Sequence, residues 1–182
     1  DGIGAPRAHT TVKGSFFSKV QVDGQDRYAS LLEWVAGDTL LDVIRGGSGP
    51  EMLVRSFDRL GELMARLHQQ ACVWTPPSEF ERHSFDEDGF AGGAPFWGRF
   101  WECGLVSPRQ RTMLAGLRPR IYRVLSALSK DRQSFSLIHA DLHPGNIVIG
   151  PEGLHVIDFD DAGFGWHAYD IAVALMNYRN AP

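Results

Sequence analysis

Apolar side chains recur at helical spacing along residues 50–70, which is the clearest periodic stretch of the chain. The positions that share one helical face are Leu53, Phe57, Leu60, Met64 and Leu67. Pro50 suits the first turn of a helix. The spacing predicts an amphipathic helix whose apolar stripe faces a core, and His68 is expected at its polar surface or with a hydrogen-bond partner.

A second helix is predicted from residue 107 to about residue 128. Ser107 is a good N-cap and Pro108 suits the first helical position, whereas Pro119 is expected to kink the helix. Its inward positions are expected to be Leu114, Leu117, Ile121, Val124 and Leu128. The arginines Arg118, Arg120 and Arg123 are interpreted as surface charge.

Two shorter helices complete the helical pattern. One follows the N-cap pair Asp38-Thr39 and ends near residue 44. The other is predicted over residues 168–177, with Asp170 in its first turn, where the helix dipole favours a carboxylate. The apolar face of this last helix is expected to contain Ile171, Leu175 and Met176.

Alternating apolar residues predict a β-hairpin near the start of the chain. Residues 14–22 and 26–33 are strand-like, and Asp23-Gly24 between them is a strong hairpin signal. Residues 1–13 before this hairpin are rich in turn-forming residues and are expected to be weakly structured.

A second hairpin is predicted within residues 137–161. The strand runs 147–149 and 154–157 flank Pro151-Glu152-Gly153, which resembles a three-residue loop. If this turn centres on Glu152, Asn146 lies opposite Asp158. Opposed residues are about 4.5–5.5 Å apart, so an amide and a carboxylate are expected side by side at one end of the hairpin.

Carboxylates are crowded at that end of the hairpin, because Asp141 precedes it and Asp160 and Asp161 follow it. Like charges at short range destabilise a fold unless a cation neutralises them. Oxygen ligands such as those of Asn146 and Asp158 suit Mg²⁺, which retains waters and takes phosphate as a further ligand. Asp141 is then suited to orient a hydroxyl group and accept its proton during phosphoryl transfer.

Two stretches lack a regular period. Residues 73–94 contain Pro, Gly and acidic residues and predict a long loop, whose carboxylates suit a cationic substrate but are interpreted as a solvated face. Residues 96–101 are unusually aromatic, and packing is the expected role of these rings.

The composition excludes several classes of protein. The chain has 182 residues, 43% hydrophobic and 22% charged residues and a net charge of −4, which gives no reason to expect nucleic-acid or membrane binding. Cys72 and Cys103 are too few for a disulfide framework, so a cytoplasmic location is expected. The oligomeric state is left open.

The polar loop and the second hairpin resemble a known family. The runs His139-Ala-Asp141-Leu-His-Pro-Gly-Asn146 and Ile157-Asp158-Phe159-Asp160 are similar to the catalytic loop and metal motif of aminoglycoside phosphotransferases, a family that includes choline and homoserine kinases. The resemblance implies that Asp141 is the catalytic base and that Asn146 and Asp158 bind Mg²⁺. It also implies that His139 anchors the loop and that Asp170 helps to hold it.

The resemblance also implies how the chain is divided. Residues 1–32 correspond to the end of a small β lobe, residues 33–37 to a hinge, and residues 38–182 to a mostly helical large lobe with the catalytic β-hairpin. The implied fold is α+β and protein-kinase-like. In the resembled hinges, backbone groups read the adenine edge of ATP, which implies nucleotide contacts at Glu33, Trp34 and Val35.

A kinase-like ATP site also needs a glycine-rich loop and a strand lysine. Lys13 and Lys19 are the only lysines before the hinge, and too few residues separate Lys19 from Glu33 for a helix and two further strands. The ATP clamp is therefore expected to precede Asp1 in a longer protein, of which this chain is a fragment.

The sequence thus predicts an ATP- and Mg²⁺-dependent phosphotransferase that acts on a hydroxyl group of a small molecule, with the acceptor and the activity of the fragment alone left open. The alternative is a catalytically inactive kinase-like binding module. A third possibility is a zinc hydrolase that uses His139, Asp141 and His143, which leaves Asn146 and Asp158 without roles.

Overall fold

The structure, a computed structural model, describes residues 3–47 and 49–176 of the chain. Its strands are β1 (Ala8–His9), β2 (Ser18–Val22), β3 (Gln25–Ala29), β4 (Leu31–Leu32), β5 (Asp38–Thr39), β6 (Ser84–Phe85), β7 (Phe135–Ile138), β8 (Ile147–Gly150), β9 (Gly153–Val156) and β10 (Gly163–Trp166). Its α-helices are α1 (Leu40–Arg45), α2 (Pro50–Val73), α3 (Glu87–Ala91), α4 (Pro108–Ser126) and α5 (His167–Met176). This mixture of short strands and helices confirms the predicted α+β class.

The described residues fall into two compact units. The described residues up to 63 and those from 144 to 158 form the first unit, and those from 64 to 143 and from 159 to 176 form the second. No helix among the described residues is long and apolar enough to cross a membrane. The lobe boundaries implied by the resemblance stay a prediction.

The predicted Asp-Gly hairpin is confirmed in the first unit. Strands β2 and β3 pair antiparallel from Ser18↔Ala29 to Val22↔Gln25. Asp23 and Gly24 both have positive φ, 51° and 75°, which is the geometry of a type I′ turn. The strands are shorter than predicted, because the chain leaves the hairpin after Ala29.

Ala8 and His9 form a strand that the sequence did not predict. Strand β1 lies within the stretch that was expected to be weakly structured, and it pairs antiparallel with β4 through Ala8↔Leu32 and His9↔Leu31. Leu31 and Leu32 therefore belong to this small ribbon and not to the β2–β3 hairpin.

The core of the first unit lies between α1 and the sheet of β5, β8 and β9. Thr39 begins α1 with a capping box, in which its Oγ1 accepts the Asp42 N–H at 3.1 Å and the Asp42 carboxylate accepts the Thr39 N–H at 3.3 Å. Leu40 of α1, Ile147 of β8 and Val156 of β9 are completely buried in this core. The predicted helix after Asp38-Thr39 is confirmed.

The predicted register of the second hairpin is wrong by one residue. Gly150 pairs with Gly153, so the turn contains only Pro151 and Glu152, and Ile147 lies opposite Val156. Proline suits the second position of a type I turn and glycine the fourth, which favours this shorter turn over a three-residue loop centred on Glu152. Asn146 is consequently not opposite Asp158, because its carbonyl accepts the N–H of Ile157 at 3.0 Å.

The second unit contains a three-stranded sheet with β10 at its centre. Strand β10 pairs parallel with β6 and antiparallel with β7. Both β6 and α3 lie in the stretch 73–94, so the prediction of a continuous loop there is wrong. A two-residue strand is too short to produce an apolar alternation that sequence reasoning can detect.

The predicted boundaries of α4 and its Ser107 cap are confirmed approximately, but its inward face differs. Val124 and Leu128 are 63% and 47% exposed, which contradicts their predicted inward positions. Arg118 is not simple surface charge: it donates to the carbonyls of Ala91 and Gly92 at 2.9 and 3.2 Å, and its guanidinium lies 4.5 Å above the Trp101 ring.

The predicted apolar face of α5 is also wrong. Ile171, Leu175 and Met176 are about half exposed, whereas Asp170, Val173 and Ala174 are buried. The carboxylate of Asp170 points into the unit because it binds backbone N–H groups there, and this fixes the rotation of the helix. Asn177, its predicted last residue, lies outside the described residues.

Candidate active site

Asp170 anchors the polar loop that carries Asp141. Its carboxylate is completely buried and accepts the N–H of His139 at 3.2 Å and the N–H of Ala140 at 2.7 Å. His68, from α2, places its Nε2 atom 2.8 Å from the same carboxylate. These contacts fix the loop backbone immediately before Asp141, and His68 has the partner that the sequence left open.

The backbone of this loop is strained at Ala140. This residue has φ of +67°, a conformation that costs a non-glycine residue about 1–2 kcal/mol. The short bond from its N–H to Asp170 holds the strain in place. Strain of this kind is concentrated at functional sites, where the surrounding contacts over-determine a geometry.

The side chain of Asp141 is about one-third exposed on this rigid loop. Its N–H donates to Nδ1 of His139 at 3.3 Å, and its carbonyl accepts the N–H of His143 at 2.8 Å. The carboxylate lies 3.5 Å from Nε2 of His143. His139 itself is buried, with its ring 4.7 Å from that of Phe159. It therefore shapes the loop, as the resemblance implies.

The two predicted metal ligands lie at the same end of the β8–β9 hairpin. Asn146 ends a 3₁₀ turn that starts at Pro144 and is 7% exposed. Asp158 is exposed and has φ of +64°, in the left-handed region that aspartate tolerates better than most non-glycine residues. The bond between Ile157 N–H and the Asn146 carbonyl keeps the two backbone segments adjacent despite the shifted register.

This donor set fits Mg²⁺ better than zinc. The described residues contain no group of three or more His, Cys, Asp or Glu side chains that could hold a metal ion. Mg²⁺ usually binds through one or two protein oxygens together with nucleotide phosphates, so two oxygen donors suffice for it. The zinc alternative is not supported, because Nδ1 of the buried His139 already accepts the Asp141 N–H.

The predicted hinge residues lie in an extended segment of the first unit. The N–H of Glu33 donates to the carbonyl of Arg7 at 2.8 Å, Trp34 is 89% exposed and Val35 is half-buried. Within the described residues, no backbone hydrogen bond is formed by the Val35 N–H or the Glu33 carbonyl. Nucleotide binding by Glu33, Trp34 and Val35 stays a prediction.

Comparison with known proteins extends this picture. The model of a phosphotransferase enzyme family, APH, matches residues 6–182. The chain belongs to the APH phosphotransferase family. Amicoumacin kinase of Bacillus subtilis is 40% identical over 53 residues, which is 29% of this chain and 16% of that protein.

Solved structures of this family share the fold. A microcompartment-associated aminopropanol kinase matches 96% of this chain and 53% of its own, with 29% identity and a TM-score of 0.76. An amicoumacin kinase in complex with AMP-PNP, Ca²⁺ and Ami matches all of this chain and 51% of its own, with 19% identity and a TM-score of 0.74. The chain thus has the kinase-like fold and spans about half the length of these relatives.

Sequence reasoning missed Arg82 and His83, which hold the segment after Asp158. Arg82 Nε donates to the carbonyl of Ala162 at 2.5 Å, and its Nη2 donates to those of Phe159 and Asp160 at 3.2 and 2.5 Å. Nε2 of His83 lies 3.0 Å from the carbonyl of Asp161. No local pattern indicates these contacts, because they join residues about 80 positions apart.

An open pocket of about 500 Å³ lies beside His83 in the second unit. Its lining residues are His83, Ser84, Asp86, Asp88, Gly89, Gly93, Ala94 and Phe96. Phe96 stacks on His83 with ring centroids 3.7 Å apart, which agrees with the expected packing role of the aromatic stretch.

The sequence was interpreted as placing the acidic residues of this region on a solvated face. In the structure, Asp86 and Glu87 near this pocket instead have partners. Asp86 caps α3 by accepting the N–H groups of Asp88 and Gly89, and Lys130 bridges Asp86 and Glu87 at 3.1 and 2.8 Å. Burial alone would raise the pKa of Asp86, but the Gly89 N–H and the Lys130 ammonium bring that pKa below its ordinary value.

Two histidines stack on each other next to Asp170, and His68 is buried whereas His167 is half-buried. The rings of His68 and His167 stack with centroids 4.2 Å apart, and Nε2 of His167 lies 2.8 Å from the Ser136 hydroxyl. Burial lowers the pKa of His167, and the neighbouring His68 ring lowers it further. The support of the Asp141 loop therefore includes an imidazole that resists protonation.

Proposed function

We propose that the protein containing this chain transfers a phosphoryl group from ATP to a hydroxyl group of a small molecule. The observation that carries this proposal is the presentation of Asp141 on a strained loop fixed by the buried Asp170 carboxylate. Family membership supports the reaction class, and the nucleotides bound by the solved relatives support ATP as the phosphoryl donor.

In this proposal, Asp141 is the catalytic base. Its partly exposed carboxylate positions the acceptor hydroxyl and takes its proton as the phosphoryl group moves. Since the loop backbone is held before Asp141 by Asp170, little reorganisation is needed when the acceptor binds. The nearby His143 imidazole helps to orient the carboxylate.

Asn146 and Asp158 are the proposed metal ligands. Mg²⁺, when bound, neutralises phosphate charge. Asn146 offers its oxygen from a buried turn, and Asp158 offers its carboxylate from an exposed position at the end of the hairpin. The backbone groups of Glu33 and Val35, with the exposed ring of Trp34, are proposed to bind the adenine of ATP.

The acceptor is proposed to be an amine-bearing alcohol. One matched solved structure is the aminopropanol kinase. Another is an aminoglycoside phosphotransferase of Streptomyces rimosus in complex with ADP and streptomycin. It matches 98% of this chain and 61% of its own, with 18% identity and a TM-score of 0.58. Screening the intact protein against aminopropanol, streptomycin and amine-free alcohols, with ADP release as the signal, tests this class.

The roles are tested by two substitutions in the intact protein. Asp141→Asn is expected to lower kcat by roughly 10²–10⁴-fold while the Kd for Mg-nucleotide stays within about threefold. Asp158→Asn is expected to raise that Kd by about tenfold or more, because a ligand carboxylate is lost. Isothermal titration and coupled ADP assays measure both quantities.

Asp23→Asn is the matched control, since it makes the same chemical change in the exposed β2–β3 turn. It is expected to leave both quantities unchanged. Near-normal kcat in Asp141→Asn contradicts the assigned base. Nucleotide binding by the wild type without ADP release, for every acceptor, favours the inactive binding module instead.

A further inference from the structure

Each of the four backbone carbonyl groups of residues 159–162 is contacted by the side chain of either Arg82 or His83. Arg82 donates to the carbonyls of Phe159, Asp160 and Ala162, and Nε2 of His83 reaches that of Asp161. The segment is not part of any helix or strand, and Phe159 and Asp160 are exposed. Within the segment, the N–H of Ala162 donates to the carbonyl of Phe159 at 3.1 Å, and the side-chain donors of Arg82 and His83 add to this single turn bond.

Arginine is the side chain best suited to this arrangement. A planar guanidinium offers five N–H donors in a fixed fork, and charged donors form stronger bonds than neutral ones. A lysine ammonium is a point charge on a flexible stem and cannot reproduce the same three directed bonds. The contact thus predicts a strict preference for arginine at position 82.

His83, the residue next to Arg82, is itself held in place by several contacts. The His83 carbonyl accepts the N–H of Phe164 at 3.0 Å, next to the paired strands β6 and β10. The His83 ring is stacked on Phe96 and lies edge-on to Phe85 with centroids 4.7 Å apart. Burial lowers the pKa of His83 despite the Asp161 carbonyl. Since a carbonyl oxygen can only accept, Nε2 is the donor in this contact.

We propose that Arg82 and His83 are positioning residues that fix the backbone of residues 159–162 and thereby orient Asp158, the residue directly before this segment. This inference rests on the proposed role of Asp158 in binding the metal–nucleotide complex. Neither side chain needs to touch the substrate.

The first test measures the backbone itself, without nucleotide or metal. In the intact protein, Arg82→Gln is expected to increase amide hydrogen exchange at Ala162 and Gly163 by about tenfold or more. His83→Phe keeps an aromatic ring against Phe96 but removes the donor, and a smaller increase is expected. Unchanged exchange in both variants overturns the proposal.

Arg118→Gln is the matched control for this measurement. Arg118 also donates to two backbone carbonyls, those of Ala91 and Gly92, in a different loop of the same unit. Its loss is expected to lower Tm to a similar extent without changing exchange at residues 162 and 163. If Arg118→Gln loosens these residues equally, the effect of Arg82 is general destabilisation, and the proposal fails.

The second test measures the consequence for Asp158. Arg82→Gln is expected to raise the Kd for Mg-ADP about tenfold, while the Kd for ADP without metal changes less than about twofold. Arg82→Lys is expected to resemble Arg82→Gln. If lysine instead restores wild-type affinity, Arg82 acts as a positive charge towards phosphate and is not a positioning residue.

These two tests separate the failure of this inference from that of the proposed function. If the wild type binds no Mg-nucleotide, the proposed function fails, and the assignment of Asp158 fails with it. If the wild type binds Mg-nucleotide and Arg82→Gln loosens residues 159–162 without changing its Kd, the proposed function stands and the positioning role is overturned.

Discussion

Asp170 shows how one buried carboxylate can set the shape of a functional loop. It is completely buried, and its partners are the N–H groups of His139 and Ala140 and the ring of His68. Charge-assisted bonds of this kind are about twice as strong as neutral ones. They offset the cost of burying the charge and hold Ala140 in its strained conformation.

Replacement of this carboxylate by an amide is expected to be severe. In Asp170→Asn, an amide NH₂ group faces a backbone N–H, so the intact protein should lose about 2–4 kcal/mol of unfolding free energy. Urea denaturation measures this loss. Asp23→Asn, at an exposed turn position that tolerates asparagine, should change it by less than about 0.5 kcal/mol. Equal effects of the two substitutions would show that Asp170 is not an anchor.

For single residues, the sequence indicated which side chains are candidates for the site, but not most of their contacts. The motif around Asp141, Asn146 and Asp158 identified the candidate residues, and the anchoring role of Asp170 was implied by resemblance. The partner of His68 was not predictable, since it lies 102 positions away. The same holds for Arg82, because a hydrogen bond to a distant carbonyl leaves no periodic signal in the sequence.

Strand β10 supports the second unit because its glycines allow close approach of its neighbours. A Cβ atom at Gly163 would lie 2.8 Å from the His83 carbonyl oxygen, and one at Gly165 would lie 2.5 Å from Cδ1 of Ile138. Both distances are shorter than van der Waals contact. Small residues at these two positions are therefore a condition for placing β6 and β7 on either side of β10.

Two glycine-to-alanine substitutions are expected to change the free energy of unfolding in opposite directions. Gly163→Ala pushes against the backbone of His83 and should lower the unfolding free energy by about 1–3 kcal/mol. Gly116→Ala lies within α4, where no described atom outside the adjacent helix backbone and the two neighbouring residues is within 4 Å of the added methyl group, and it should raise the unfolding free energy by about 0.5–1 kcal/mol. Thermal unfolding of both variants measures the contrast, and a stabilised Gly163→Ala would contradict the close approach.

Elements with strong local signals were predictable from the sequence. The apolar stripe of α2, the caps of α1 and α4 and the Asp-Gly turn all agree with the structure, because each depends on residues close in sequence. Strand β6 was missed because its pairing partner is far along the chain. The rotation of α5 was missed because a buried carboxylate, not an apolar residue, determines it.

The stability of the whole molecule is expected to depend on pH through two half-buried histidines. Burial lowers the pKa values of both His83 and His167 in the folded protein. The unfolded chain titrates at about 6.5, so below that pH it binds more protons than the folded chain. The unfolding free energy should therefore fall as the pH decreases from 7 towards the lowered pKa values.

Removal of one titrating ring should reduce this dependence. His167→Gln keeps a polar group near the Ser136 hydroxyl and eliminates the titration, so the loss of stability between about pH 7 and pH 5.5 should become smaller. Urea midpoints across this range provide the measurement. His9→Gln, at an exposed position in β1, serves as the control. A slope that is identical in the wild type and His167→Gln would exclude His167 as a source of acid sensitivity.

The contact between Gly4 and β9 has a practical consequence for anyone who shortens this chain. The carbonyl of Gly4 accepts the N–H of Val156 at 2.8 Å, and a Cβ atom at position 4 would lie 2.3 Å from the Leu154 carbonyl oxygen. Residue 4 thus shields the outer side of an edge strand. Deleting it would expose backbone N–H and C=O groups of β9, which could then pair with a strand of another molecule. Versions prepared for crystallisation or NMR should retain it, and affinity tags are better attached at a distance from this glycine.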